Sequence, residues 1–188
     1  GQFFYVAQEY GNEIFFGSDH GRIWRYQKQG GQFELLQLPA SSRVVEIKKI
    51  NEQAILIVTK TDGFFVYDVV SKGMEHYEAS RLPKAPVRSA YMDKYSEIWF
   101  EQEVPGTVAH FNAKTKVLKT EVIPVEPTST DRSRPAFHVH EDIYGTVWVH
   151  PYGGGFSRFD RENNRLQSFY NGLSDCLLYT SDAADDLI

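Results

Sequence analysis

Apolar residues fall along this chain in short bursts that recur. Clusters at Ile14-Phe15-Phe16, Ile55-Leu56-Ile57, Ile98-Trp99-Phe100 and Val147-Trp148-Val149 begin 41, 43 and 49 residues apart. An aromatic follows the first member of each cluster after 12, 12, 13 and 12 residues: Tyr26, Tyr67, Phe111 and Phe159. Seven residues further on stand Phe33, Met74, Leu118 and Leu166, and eight residues before each cluster stand Val6, Ile47, Ala90 and Val139. Offsets kept over four copies mark a structural repeat. Within a copy the stretches alternate, as in Arg22-Ile23-Trp24-Arg25-Tyr26 and Phe137-His138-Val139-His140. That period of two sends neighbouring side chains to opposite faces of a strand. Turn formers separate the stretches, among them Asp19-His20-Gly21, Gln29-Gly30-Gly31, Asp62-Gly63, Pro105-Gly106, Gly153-Gly154-Gly155 and Glu162-Asn163-Asn164.

Four short strands per unit, at a period of about 40–50 residues, predict an all-β chain folded as a β-propeller. A twisted four-stranded sheet cannot bury both faces alone, so neighbouring units must cover each other. Trp24, Trp99 and Trp148 are expected to pack between units. The expected blades are 1–38, 39–83, 84–124 and 125–170, with 171–188 the end of the fragment. A β-sandwich also gives evenly spaced strands, but nothing in it requires the same offsets four times; β-solenoid repeats are usually shorter. Four four-stranded blades are expected to be part of a larger ring of about seven, since propellers have roughly 4–8. Two uncovered blade faces would then favour aggregation of the fragment alone.

Composition narrows the class. Of 188 residues, 41% are hydrophobic and 24% charged, which excludes a disordered or collagen-like chain. The net charge of -5 argues against a non-specific grip on nucleic acid or anionic lipid. The longest apolar run, Ala54-Ile55-Leu56-Ile57-Val58, suits a strand and is far too short for a membrane helix. There is no initiator Met, and the chain opens mid-pattern, as a fragment would. The only cysteine, Cys176, opens a run to Asp186 that resembles a translated sequencing-library adapter, so 176–188 is set aside from fold reasoning. Without its three aspartates the net charge is -2, and no thiol remains for a disulfide, a metal or nucleophilic attack. Absent cysteine fits an oxidising compartment such as a periplasm.

The stretch Phe137 to Asp160 reads His140-Glu141-Asp142-Ile143-Tyr144-Gly145-Thr146-Val147-Trp148-Val149, then a Gly-rich loop, then Arg158-Phe159-Asp160. It resembles the two-component regulator propeller repeat, which pairs an acidic-x-x-Gly turn with an apolar-Trp-apolar strand and closes on aromatic-Asp. The earlier units match more loosely, through Gly21-Arg22-Ile23-Trp24, Tyr67-Asp68 and Ile98-Trp99-Phe100. The resemblance spans residues 3 to about 173. It implies the extracytoplasmic, periplasmic sensor region of a membrane-bound hybrid histidine kinase, responsive to glycan fragments and without catalysis of its own. The implied partners are an oligosaccharide or other small molecule, the rest of the ring, a membrane-linked kinase and a second copy in a homodimer, with no nucleic acid. The third unit, with Glu97-Ile98-Trp99-Phe100-Glu101, Gly106-Thr107-Val108 and Asn112-Ala113-Lys114-Thr115, also resembles the repeat of streptogramin-lyase-like enzymes. Fold alone does not choose between these, nor exclude a protein-interaction scaffold.

In a propeller whose inner strand comes first, the loop between second and third strands shares a face with the inter-blade connections. Ligands commonly bind there. The candidate ligand-binding residues on that face are Asp19, His20, Asp62, Arg132, Arg134, His150 and Tyr152. The Asp, His and Tyr side chains suit sugar hydroxyls, Tyr152 can stack on a sugar ring, and the arginines suit carboxylate or sulfate. Asp before Gly is equally an ordinary turn former. His138 and His140 share a strand face beside Glu141 and Asp142, but a metal needs a third convergent ligand and none stands out. Glu101 and Glu103 share a strand face without the opposed placement that glycoside hydrolysis needs. No catalytic set, metal or cofactor is expected.

Overall fold

The computed structural model describes residues 3–104, 106–123, 137–151 and 155–169. They form four antiparallel sheets of four strands, each wound in chain order. The first holds β1 (Phe4–Tyr10), β2 (Glu13–Ser18), β3 (Arg22–Gln27) and β4 (Gln32–Gln37). The second holds β5 (Val44–Lys49), β6 (Ala54–Thr59), β7 (Phe64–Asp68) and β8 (Met74–Tyr77). The third holds β9 (Val87–Met92), β10 (Glu97–Gln102), β11 (Thr107–Asn112) and β12 (Val117–Val122). The fourth holds β13 (Phe137–Glu141), β14 (Val147–Pro151), β15 (Phe156–Asp160) and β16 (Arg165–Phe169). A 3-10 turn, Ala79–Arg81, lies between the second and third sheets. Among the described residues no helix is long and apolar enough to cross a membrane. The described residues fold as four blades of a β-propeller.

Period two explains the packing. On β6, Ile55 and Ile57 point to the first blade and join Phe15, Ile23, Val44 and Phe65. Leu56 and Val58 point the other way and join Phe100, Ala109 and Phe111 of the third blade. A third cluster, with Trp99, Val147, Val149 and Phe159, joins the third blade to the fourth. The middle residue of a β2-type cluster meets the β3-type aromatic of the next blade. Phe15 meets Tyr67 edge-on at 6.4 Å and Trp99 meets Phe159 edge-on at 4.8 Å. Each buried side chain of this size stabilises by about 1.5–3 kcal/mol, and each aromatic pair by about 0.5–1.5 more.

The residues that made the repeat legible turn out to hold its hairpins. Asp142 Oδ1 accepts from the Tyr144 and Thr146 N–H groups, both at 2.9 Å, and Oδ2 accepts from the Trp148 indole at 3.0 Å. Asp93 does the same for Tyr95 and Glu97, and Asn51 for Gln53 and Ala54. After the third strands, Asp68, Asn112 and Asp160 each accept two N–H groups of the following turn. These are Asx turns, and they account for the aromatic-Asp signature without a ligand.

One sequence equivalence needs correction. Ile47, Ala90 and Val139 face the preceding blade, whereas Val6, at the same offset, faces the following one. The cause is turn length. β1 and β2 pair as Glu9↔Ile14 across four residues, while the matching pairs Lys49↔Ile55, Met92↔Ile98 and Glu141↔Val147 enclose five. The shorter turn slips the register by one, and one residue of slip moves a side chain to the other face. Outer blade faces carry exposed aromatics: Phe4 (50%) and Phe33 (60%) on the first, Phe156 (48%) and Phe169 (36%) on the fourth.

Candidate functional site

Backbone hydrogen bonds stitch the second-to-third loops to the inter-blade connections along one face. Gly21 N donates to Ser42 O at 2.8 Å, Lys60 N to Arg43 O at 2.9 Å, Val87 N to Lys60 O at 2.8 Å and Glu103 N to Pro86 O at 3.3 Å. The inner strands of the first three blades reach this face through a one-residue bulge, which leaves Tyr5, Val45 and Arg88 outside the ladder. Bulges of this kind re-aim a side chain.

Between the first and second blades the candidate residues Asp19, His20 and Asp62 surround one connection. Tyr5 Oη donates to Asp19 at 3.0 Å, under the Arg43 guanidinium 5.0 Å from its ring. His20, in the left-handed region at φ 56, donates Nδ1 to Ser41 O at 3.2 Å. Asp62 accepts from the Ser42 and Ser41 N–H groups at 2.7 and 3.1 Å. Burial pushes the Asp62 carboxyl up, but the Ser42 and Ser41 hydrogen bonds outweigh it and hold the group below the usual carboxylate range. His76, which sequence reasoning passed over, donates Nε2 to Asp62 O at 2.8 Å and stacks on Phe65. It belongs to no repeated position, so no periodic signal marked it.

Between the second and third blades lies a cleft of about 400 Å³. Its walls are the Lys60–Gly63 turn and the connection from Ala79 to Val87. Gly63 sits at φ +88, and a Cβ there would run into the Tyr77 carbonyl. Gln102, only 1% exposed, fastens the far wall by donating Nε2 to Pro83 O at 2.9 Å and Ala85 O at 2.8 Å. Both loops were expected on this face, but neither Lys60 nor Lys84 was singled out, because the cleft joins segments about twenty residues apart.

Between the third and fourth blades His150 pairs across the strands with His138, ring centres 5.5 Å apart. His138 Nδ1 lies 3.7 Å from Glu101 Oε1, which also accepts the Val139 N–H at 3.1 Å. Ser89 donates to the other Glu101 oxygen, and Arg88 pairs with Glu103 at 2.7 Å. Burial, then the His138 charge, hold His150 below the ordinary histidine range. Among the described residues no three His, Cys, Asp or Glu side chains converge as a metal site. Arg132, Arg134 and Tyr152 lie outside the described residues. His110 is sequestered between blades: it is 1% exposed, donates to Glu97 at 2.5 Å and stacks on Trp99 at 4.6 Å.

No family model matches the sequence, and no curated protein matches it. Solved structures share the fold. Virginiamycin B lyase from Staphylococcus aureus superimposes with a TM-score of 0.63 at 15% identity, over 90% of this chain and 56% of that one. The extracellular domain of a putative hybrid two-component system from B. thetaiotaomicron gives 0.59 at 17% identity, over 90% and 24%. An auxiliary nutrient binding protein from Bacteroides thetaiotaomicron gives 0.55 at 11% identity, over 89% and 41%. The chain therefore spans a little over half of the lyase and about a quarter of the sensor domain. A lyase, a two-component extracellular domain and a nutrient binding protein thus share this propeller architecture.

Proposed function

We propose that this chain is a ligand-sensing segment of an extracytoplasmic propeller in a bacterial two-component regulator of the hybrid histidine-kinase type. Its loop face takes an oligosaccharide or other small molecule, and the segment itself performs no catalysis. The observation that carries this reading is the state of the loop-face acids. Asp19, Asp62 and Glu101 each already accept hydrogen bonds from groups that hold the loops in place. A recognition surface needs such rigidity, whereas an acid–base pair needs a free proton position. The likeness to extracellular domains of hybrid two-component systems supports the same reading. In the parent protein the partners are further blades, a membrane-linked kinase in the inner membrane and a second protomer, with the propeller, of about seven blades, in the periplasm. The test is titration of the chain with neutral and acidic oligosaccharides by protein-observed NMR. Saturable shifts on the loop face without product support it; absence of binding to the whole panel rejects it.

A second reading, a streptogramin-lyase-like enzyme, is favoured by one observation: His138 and His150 stand together beside Glu101. Ring opening of a cyclic depsipeptide, followed by chromatography with mass spectrometry and lost in His150→Ala, would establish it over the sensor reading.

A further inference from the structure

We infer that the cleft between the second and third blades is a binding site for a small anion, a carboxylate or sulfate ester carried on a body with an apolar face. The inference rests on the reading that the loop face binds a ligand, and it names both the place and the charge. Four observations lead there. The space, about 400 Å³, suits a molecule the size of one or two sugar rings. Its lining residues include two lysines, Lys60 and Lys84, the hydroxyl-bearing Thr61 and Ser80, and the apolar Leu82 and Pro86. Among the described residues neither lysine forms an ion pair, whereas Lys48 and Lys49 of β5 and Arg88 of β9 each do. The nearby acids do not neutralise them: Asp62 is held by Ser41 and Ser42, and Glu78 reaches the lining only through Ser80, at 3.4 Å.

The cleft is also built in advance. Gln102 anchors the Pro83 and Ala85 carbonyls from below, Thr59 Oγ1 donates to Gly63 O at 2.8 Å, and Val87 N closes on Lys60 O at 2.8 Å. A ligand therefore need not order the loops, and its charge is met by two lysines. Ammonium groups on flexible stems recognise charge more than shape, so carboxylate and sulfate are both accepted and phosphate-like geometry is not required.

The experiment is calorimetric titration of the whole chain with D-glucuronate, glucose 6-sulfate, methyl glucoside and sodium sulfate. Both sugar anions are expected to bind saturably, more weakly as salt rises, while methyl glucoside does not bind. The Lys60→Gln/Lys84→Gln double variant should weaken the anions by about tenfold or more, the loss of charge-assisted hydrogen bonds. Lys114→Gln, on an exposed turn of the third blade, should leave binding unchanged, and a wild-type circular dichroism spectrum shows that each variant folds. Undiminished binding by the double variant, or sodium sulfate binding as tightly as glucose 6-sulfate, overturns the inference. Methyl glucoside binding as well as the anions overturns it while leaving the loop-face reading in place. Failure of every probe overturns it, and the loop-face reading falls too only if the oligosaccharide panel also gives no saturable shifts.

Discussion

At the scale of single residues the signature positions act through the backbone. Ser96 and Gly145 occupy matching hairpin turns, at φ 67 and 82. A left-handed conformation costs a non-glycine residue about 1–2 kcal/mol, so Ser96→Gly is expected to raise stability by up to about 1 kcal/mol and Gly145→Ser to lower it by a similar amount, read from urea unfolding. Asp142 makes a pH prediction. The Trp148 indole hydrogen bond, then the Thr146 N–H, hold its carboxyl below the usual range, and Asn163 does the same for Asp160. A carboxyl whose folded pKa is depressed contributes stability that is complete above its unfolded pKa of about 3.9 and is lost as pH falls through the folded value. Asp142→Asn should therefore be less stable than wild type at neutral pH, with the difference shrinking below about pH 4; a constant difference down to pH 2 would show that the carboxylate charge is irrelevant.

At the scale of elements the blade junctions dominate. Phe159 fills the space against Trp99 and His110, so Phe159→Ala should cost about 3–5 kcal/mol in denaturant unfolding. Gln102 is the corresponding device for the cleft. Gln102→Ala removes both of its hydrogen bonds to the Pro83–Ala85 connection, and hydrogen exchange should quicken at Val87 and Glu103, whose N–H groups bond the adjoining backbone, while β14 stays protected. Unchanged exchange at those two amides would mean that the connection holds its shape without the side chain.

At the scale of the molecule, among the described residues no blade packs on the outer face of the first or the fourth blade. Trp148 sits where Trp99 sits one blade earlier, but among the described residues it packs on Phe156 and Phe169 of its own blade. Tyr26 likewise packs on Phe33 of its own sheet. Exposed aromatic faces of this kind drive association. Sedimentation of the chain should show concentration-dependent self-association that Phe33→Lys and Phe156→Lys together reduce; an invariant monomer across the same range would contradict it.

The alternating strands, the four-fold repeat and the hairpin turns were legible in the sequence because they depend on neighbours in the chain. A period of two, an Asx residue before a turn and an aromatic at a constant offset are local facts. Other properties required the tertiary structure. The slip that turns Val6 to the opposite face follows from a hairpin one residue shorter than its counterparts, a change the constant offset of eight concealed. The engagement of Asp62 by Ser41 and Ser42 joins residues of two blades, as does the closing of Lys60 against Val87. The cleft is walled by a connection leaving the second blade that Gln102, buried in the third, holds by two hydrogen bonds. Sequence by itself determined the blades, since each strand's pattern is written within its own few residues. Tertiary structure decided which loop side chains remain available to a ligand, since that depends on hydrogen bonds between segments that meet only when the blades pack.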